Sequence, residues 1–325
     1  MKHGSVIGSG SYVPENVMTN DSLSELVETS DEWIVSRTGI KERRISTGEN
    51  TSELAYKAAV RALEQARLKP GDIDLIICAT ITPDYFMPST ACIVQDKLGA
   101  VNAAAFDLTA ACTGLIYAMV TADQFITTGM YKNILVIGAE TLSKATDWED
   151  RATCVLFGDG AGALVLSSEG RSRGILASTL AADGSRQAIL TCPALPLNNP
   201  FVKEEEGRNR SRIEMQGQEV FRFAVRTVTD SIRAVLAESG LAPEEIRYII
   251  PHQANIRILE QAAKFCDLPL EKFYVNLGRY GNTSAASIGI AMDELLRRGD
   301  IKAGDKLILV GFGGGMTSGA ILLEM

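Results

Sequence analysis

The chain repeats itself, and the repeat restricts its fold more than any other feature. Leu68-Lys69-Pro70-Gly71-Asp72-Ile73 precedes one short apolar run, and Leu241-Ala242-Pro243-Glu244-Glu245-Ile246 precedes another, 246 − 73 = 173 residues on. Ile134-Leu135-Val136-Ile137-Gly138 and Leu307-Ile308-Leu309-Val310-Gly311 recur at the same offset of 173. Gly162-Ala163-Leu164-Val165-Leu166 and Gly319-Ala320-Ile321-Leu322-Leu323 then pair 157 residues apart. Such a preserved order points to duplication of a whole βα layer. Strand-like runs at 74–79, 103–108, 133–138 and 163–167 precede runs at 247–250, 273–276, 306–310 and 320–323 in the second half. Helical spacing over 52–66, 89–98, 218–239 and 288–298 lies between them. This alternation predicts an α/β fold with much parallel sheet. Sites in such folds form where strand C-termini converge, so both halves are expected to contribute.

In the first half, Phe106-Asp107-Leu108-Thr109-Ala110-Ala111-Cys112-Thr113-Gly114 carries an apolar run into a turn of small residues. A helical pattern of Leu115, Ile116, Met119 and Val120 follows, closed by Gly129. Cys112 then stands beside unpartnered backbone N–H groups at the positive end of a helix dipole. That place is expected to lower the thiol pKa and favour the reactive thiolate. A cysteine among alanines is more often simply packed, so partners elsewhere decide the matter.

Of the two histidines, His3 lies at the N-terminus, which leaves His252 for any imidazole chemistry. It closes the run 247–250 in Pro251-His252-Gln253-Ala254-Asn255, ahead of a helix over about 255–265. Asn282 lies in Gly281-Asn282-Thr283-Ser284-Ala285-Ala286-Ser287, between a strand-like run and a helix, a layout that mirrors Cys112. An asparagine there also suits a helix N-cap. Phe312-Gly313-Gly314-Gly315 follows the run 306–310, and its glycines let the backbone approach a ligand with N–H groups aimed at it. Neither this loop nor Gly8-Ser9-Gly10 has the spacing of a dinucleotide fingerprint.

Composition removes several classes. A net charge of −8 argues against non-specific nucleic-acid binding. No apolar run reaches the ~20 residues that cross a bilayer. Six scattered cysteines without a Cys-x-x-Cys pair argue against a zinc site and a disulfide framework, and for a reducing, cytoplasmic setting. Two stretches break the alternation: 181–212, whose run Lys203-Glu204-Glu205-Glu206-Gly207-Arg208 reads as a solvated face, and 80–88, a proline-bounded loop carrying Tyr85 and Phe86. The second suits a ligand pocket or an oligomer contact.

Four motifs in order resemble the β-ketoacyl-acyl carrier protein synthase III family of thiolase-fold condensing enzymes. They are TAACTG around Cys112, HQANIR at 252–257, GNTSAAS at 281–287 and GFGGGMTSG at 311–319, supported by SDEWIVSRTGIKERRI at 30–45 and RATCVLFGDGAGA at 151–163. The resemblance implies an α/β thiolase-like fold with a duplicated five-layered αβαβα architecture, residues 1–172 carrying the cysteine and 173–325 the histidine and asparagine. It implies a decarboxylative condensation of an acyl-CoA primer with malonyl-acyl carrier protein. Cys112 would carry the acyl group; His252 and Asn282 would hold the malonyl thioester oxygen; backbone N–H groups of Cys112 and Gly313, Gly314 and Gly315 would form an oxyanion hole.

Carried over by position, Trp33, Arg37, Arg151, Asn255 and Phe312 look like coenzyme A and substrate contacts. Met87 looks like the residue that reaches into a partner subunit's acyl pocket. Arg222, Arg257 and Lys264 look like the basic patch for the acidic carrier protein. The resemblance further implies a homodimer with no metal and no cofactor beyond the thioester substrate, and no nucleic-acid or membrane partner.

Three positions depart from the family pattern: Ser318 where Thr-Trp-Gly is usual, Met87 where phenylalanine is common, and Ala152 where glycine is common. A thiolase would place a second cysteine in 311–319, and an elongating condensing enzyme a second histidine at 282; neither is present. Hydroxymethylglutaryl-CoA synthase would need a glutamate acid/base. A starter condensing enzyme of polyketide or quinolone synthesis is the runner-up, and a non-catalytic scaffold would lack one of the three central residues.

Overall fold

A computed structural model describes residues 2–202 and 211–325. The charged run at 203–208 lies outside the described residues.

The first sheet contains β1 (Ser5–Tyr12), β2 (Leu75–Ala79), β3 (Ala104–Leu108), β4 (Asn133–Thr141) and β5 (Asp159–Ser167), in spatial order β1-β5-β4-β2-β3. The second contains β6 (Gly174–Ala182), β7 (Ile246–Pro251), β8 (Lys306–Gly313) and β9 (Thr317–Glu324), in order β7-β8-β9-β6. Each sheet has a parallel pair that holds the equivalent strands, β2 with β4 inside the first sheet and the edge strand β7 with β8 in the second. Cys78 faces Ile137 in one pair, and Pro251 faces Val310 in the other. The offset of 173 residues read from the sequence is thus also the register of the two sheets.

Among the described residues the seven longer helices are α1 (Asp31–Thr38), α2 (Thr51–Ala66), α3 (Thr90–Leu98), α4 (Gly114–Thr127), α5 (Gly217–Ser239), α6 (Ile256–Cys266) and α7 (Ala286–Arg297). Side chains alternate faces along a strand, and the cores follow. Leu75, Ile77 and Ala79 of β2 pack inward with α4 and α7, whereas Ile76 and Cys78 pack outward beneath α2 and α3. In the second sheet Leu307 and Leu309 join the same inner core, whereas Ile308 and Val310 pack outward beneath α5 and α6. Strands buried on both faces explain the nearly unbroken apolar runs. The five layers are α2/α3, sheet, α4/α7, sheet, α5/α6. Each fully buried Leu or Ile in the inner core contributes roughly 1.5–3 kcal/mol.

One expected strand is not formed. Segment 273–276 makes a single parallel bridge, Ile249 to Phe273, rather than a fifth strand of the second sheet. The Gln253 carboxamide takes the place of a neighbouring strand. Its Nε2 donates to the Tyr274 carbonyl at 2.9 Å, and its Oε1 accepts from the N–H groups of Asn276 and Leu277 at 2.9 and 3.2 Å.

Candidate active site

The cysteine sits in a 3-10 turn, Ala111–Thr113, immediately before α4. Ala111 is left-handed at φ 46°, and Ser284, 284 − 111 = 173 residues later and just before α7, is left-handed at φ 47°. Non-glycine residues in that region are strained and cluster at functional sites. The turn is held from the opposite lobe: Thr317 Oγ1 donates to the Ala110 carbonyl at 3.2 Å and lies 3.0 Å from Thr113 Oγ1. Gly313 makes this close approach possible, since a Cβ there would lie 2.7 Å from the Cys112 nitrogen.

His252 follows β7. Its N–H donates to the Val310 carbonyl at 2.8 Å, and its ring meets Phe312 edge-on with centroids 5.2 Å apart. Nδ1 lies 2.8 Å from Ser287 Oγ, and that oxygen accepts the Gln253 N–H at 3.4 Å. When Ser287 donates its proton to Nδ1, the imidazole carries its own proton on Nε2. Burial lowers the His252 pKa to about 3, so the ring is a neutral donor.

Asn282 is pinned by the first lobe: its N–H donates to the Leu156 carbonyl at 2.8 Å, and its own carbonyl accepts from Gly158 at 3.0 Å. Its side-chain Oδ1 accepts from the Ser284 N–H at 2.9 Å. This is a local turn rather than a cap, because α7 begins only at Ala286. With Oδ1 engaged, the amide NH2 is the part left for a ligand.

Cys112, His252 and Asn282 all line one cavity of about 820 Å³, together with Phe312, Gly313 and Gly314. That volume is ample for a small-molecule thioester. Trp33 and Arg37 also line it, with the Arg37 guanidinium 5.0 Å from the indole centroid. An apolar part of the wall comes from Leu142, Phe157, Leu190, Cys192 and Ile213. The thiol does not follow expectation. Burial pushes the Cys112 pKa up to about 12, and the charge of Glu140 adds to the rise, while a hydrogen bond with Ser284 opposes it. Desolvation of the anion is the largest influence on the thiol, which is half-buried at the cavity wall.

The remaining sequence-derived positions divide. Arg151 stacks 4.9 Å from the Trp33 centroid and bonds the Glu28 carbonyl, but it is not part of the cavity wall. Asn255 lines the wall with both amide ends engaged, Oδ1 capping α6 at Arg257 and Nδ2 on the Arg37 carbonyl at 3.0 Å. Gly315 is left-handed at φ 75° and turns the loop away from the cavity wall that Gly313 and Gly314 form. Met87 is 85 % exposed and lies outside the wall, although its neighbours Tyr85 and Phe86 line it. Arg222 and Arg257 line a separate groove between α5 and α6 with Arg226 and Arg233, while Lys264 is exposed beyond it. Of the departures, Ala152 lines the cavity, and Ser318 is buried opposite Phe312 between β8 and β9. Among the described residues no group of three or more His, Cys, Asp or Glu is placed to hold a metal ion.

Sequence reasoning passed over Ser284, Ser287 and Glu140. The two serines stood inside a motif already quoted. Glu140 left one signal, an acidic residue at the end of an otherwise apolar strand.

A duplicated five-layer sandwich with cysteine, imidazole and carboxamide on one cavity defines a thiolase-fold condensing enzyme. Residues 106–184 match the family profile described as 3-oxoacyl-[acyl-carrier-protein (ACP)] synthase III, and residues 236–325 match the profile of its C-terminal part. The chain is 56% identical over 319 residues to the β-ketoacyl-[acyl-carrier-protein] synthase III of Clostridium acetobutylicum, covering 98% of each chain. The crystal structure of 3-oxoacyl-[acyl-carrier-protein] synthase III from Aquifex aeolicus VF5 superposes with TM-score 0.92 at 49% identity, covering 99% of this chain and 100% of that one. The priming β-ketosynthase of the R1128 polyketide pathway has TM-score 0.92 at 32% identity, covering 100% of this chain and 96% of that one. The chain belongs to the β-ketoacyl-acyl carrier protein synthase III family, and it is a condensing acyltransferase of fatty acid biosynthesis.

Proposed function

We propose that the chain condenses an acyl-CoA primer with malonyl-acyl carrier protein through an acyl-Cys112 intermediate. The observation that carries this reading is the single cavity shared by Cys112, His252 and Asn282, the first from one lobe and the other two from its duplicate. The thioester enters past Trp33 and Arg37, and Arg151 steadies the indole from outside. Asn255 holds α6 to the end of α1 and so shapes the entrance. The Cys112 sulfur attacks the carbonyl carbon, and the oxyanion sits against the N–H groups of Cys112 and of the Gly313–Gly315 loop. Such donors are worth ~3 kcal/mol each. Collapse expels the coenzyme A thiolate.

Malonyl-acyl carrier protein binds next, its protein part against Arg222, Arg257 and Lys264. Its thioester oxygen accepts from His252 Nε2–H and the Asn282 NH2. Those donors stabilise the enolate left as carbon dioxide departs, and its carbon attacks acyl-Cys112. No metal or further cofactor takes part. The same reading makes the protein a cytoplasmic homodimer in which the exposed Met87 borders the neighbour's acyl pocket. The identity to fatty-acid relatives, well above that to the polyketide priming enzyme, favours fatty-acid initiation.

Carbon dioxide release from malonyl-acyl carrier protein in the presence of acetyl-CoA tests the reading. Release that depends on the primer is expected; no release with acetyl-CoA or longer acyl-CoA primers contradicts it.

A further inference from the structure

A thiol with a pKa near 12 must lose its proton as it attacks, and the neutral, poorly basic His252 is a weak acceptor. A better one lies behind the cysteine. Glu140, at the end of β4, is fully buried, and its Oε2 accepts from Thr82 Oγ1 at 2.6 Å, Thr80 Oγ1 at 3.2 Å and the Ile81 N–H at 3.1 Å. Each threonine hydroxyl that donates to the carboxylate also accepts a backbone N–H, Thr80 Oγ1 from Thr82 and Thr82 Oγ1 from Thr141. Oε1 is less fully supplied: it takes a longer bond from the Ile81 N–H at 3.3 Å, and faces Ser284 Oγ at 3.1 Å. Ser284 lines the same cavity as Cys112, and its hydroxyl counters the rise of the thiol pKa. The strained Ser284 backbone and the turn Gly138 permits, where a Cβ would lie 2.2 Å from the Ala285 carbonyl, hold the three groups in line.

We propose that Glu140, acting through the Ser284 hydroxyl, accepts the Cys112 proton during attack on the primer and returns it when condensation frees the sulfur. The inference rests on Cys112 being the acylated residue. In the reactive arrangement Ser284 donates to Glu140 Oε1, and the thiol turns its proton toward Ser284 Oγ. On attack the S–C bond forms, the thiol proton passes to Ser284, and the serine proton passes to Oε1, leaving a neutral carboxylic acid. Coenzyme A departs as its thiolate and takes a proton from water. After condensation the released Cys112 thiolate recovers its proton along the same chain, so one turnover consumes the one solvent proton that decarboxylation requires.

Desolvation raises the Glu140 pKa to about 7, against the hydrogen bonds that lower it. The titratable groups that feel its charge are Cys78 from β2, Cys112 from the turn before α4, Lys144 from the turn after β4, and Cys192 from the cavity wall. Lys144 is bonded elsewhere, to Asn50 Oδ1 and the Thr82 carbonyl. Glu140 acts as a base only as the carboxylate, so acylation should fall as pH drops below about 7.

The test is the pH profile of Cys112 acylation by acetyl-CoA, read as single-turnover mass shift, in the wild type, Glu140→Gln and Ser284→Ala. The alanine adopts a backbone that Ala111 already holds in the first lobe, so this variant keeps the test valid if Glu140→Gln fails to fold. At pH near 7.5 both variants should acylate about 10²-fold more slowly, and the inflection near 7 should vanish. If Glu140 acted only through its charge, removing it would ease thiol ionisation and speed acylation, which overturns the proposal. An unchanged inflection with a uniform loss of rate also overturns it. A wild type that acetyl-CoA does not acylate at Cys112 removes the nucleophile reading instead, a distinguishable result.

Discussion

The two lobes share one backbone and differ at the ends of the same strands. At the shared offset of 173, Ala79 corresponds to His252, Glu140 to Gly313, and Ala111 to Ser284. Where the first lobe has a methyl group the second has an imidazole, and where the first has a buried carboxylate the second has a bare backbone. The sheets are alike because burial on both faces admits few alternatives, whereas strand ends face the cavity and were free to diverge. On the proposed function, duplication thus produced two unlike half-sites, one lobe to carry the acyl group and the other to receive the extender unit.

This division of labour predicts mutants that separate acylation from decarboxylation. Cys112→Ser should remove the mass shift with acyl-CoA entirely; a retained shift would place the acyl group elsewhere. His252→Ala should lower carbon dioxide release by ~10²–10³-fold while Cys112 still acylates, measured on the same sample. Because burial keeps His252 neutral down to about pH 3, release by pre-acylated enzyme should show no acid limb from the imidazole between about pH 5 and 8. A limb in that range that disappears in His252→Gln would contradict the neutral-donor role.

Smaller effects probe the fit between the lobes. Gly313→Ala forces a Cβ against Cys112, so it should slow acylation and cost about 1–3 kcal/mol in urea unfolding. Wild-type stability would show that the loop can retreat. Ser287→Ala frees the imidazole tautomer and should reduce release by roughly tenfold, leaving acylation alone; equal loss in both steps would make Ser287 structural. Arg222→Glu should raise the KM for malonyl-acyl carrier protein, increasingly so at low salt, without affecting acylation by acetyl-CoA. An unchanged KM would move the carrier surface away from the α5–α6 groove.

Much of the architecture was legible because it is repetitive. Apolar runs buried on both faces and the shared offset were visible in the chain itself. Segment 273–276 misled because its composition suits a strand, while the Gln253 side chain that satisfies its backbone lies more than twenty residues earlier. The cysteine, histidine and asparagine stood at legible strand and helix boundaries. What the thiol experiences was not legible: a helix start is local, but desolvation and the Glu140 charge come from residues that only folding brings near. Met87 and Arg151 mark a second limit, since neither side chain lines the cavity.

The most direct test compares both half-reactions in Asn282→Ala. Acetyl-CoA should still shift the mass of Cys112 completely, while carbon dioxide release from malonyl-acyl carrier protein falls about 10²-fold. Parallel loss of both steps, or release at the wild-type rate, would contradict a site divided between two lobes.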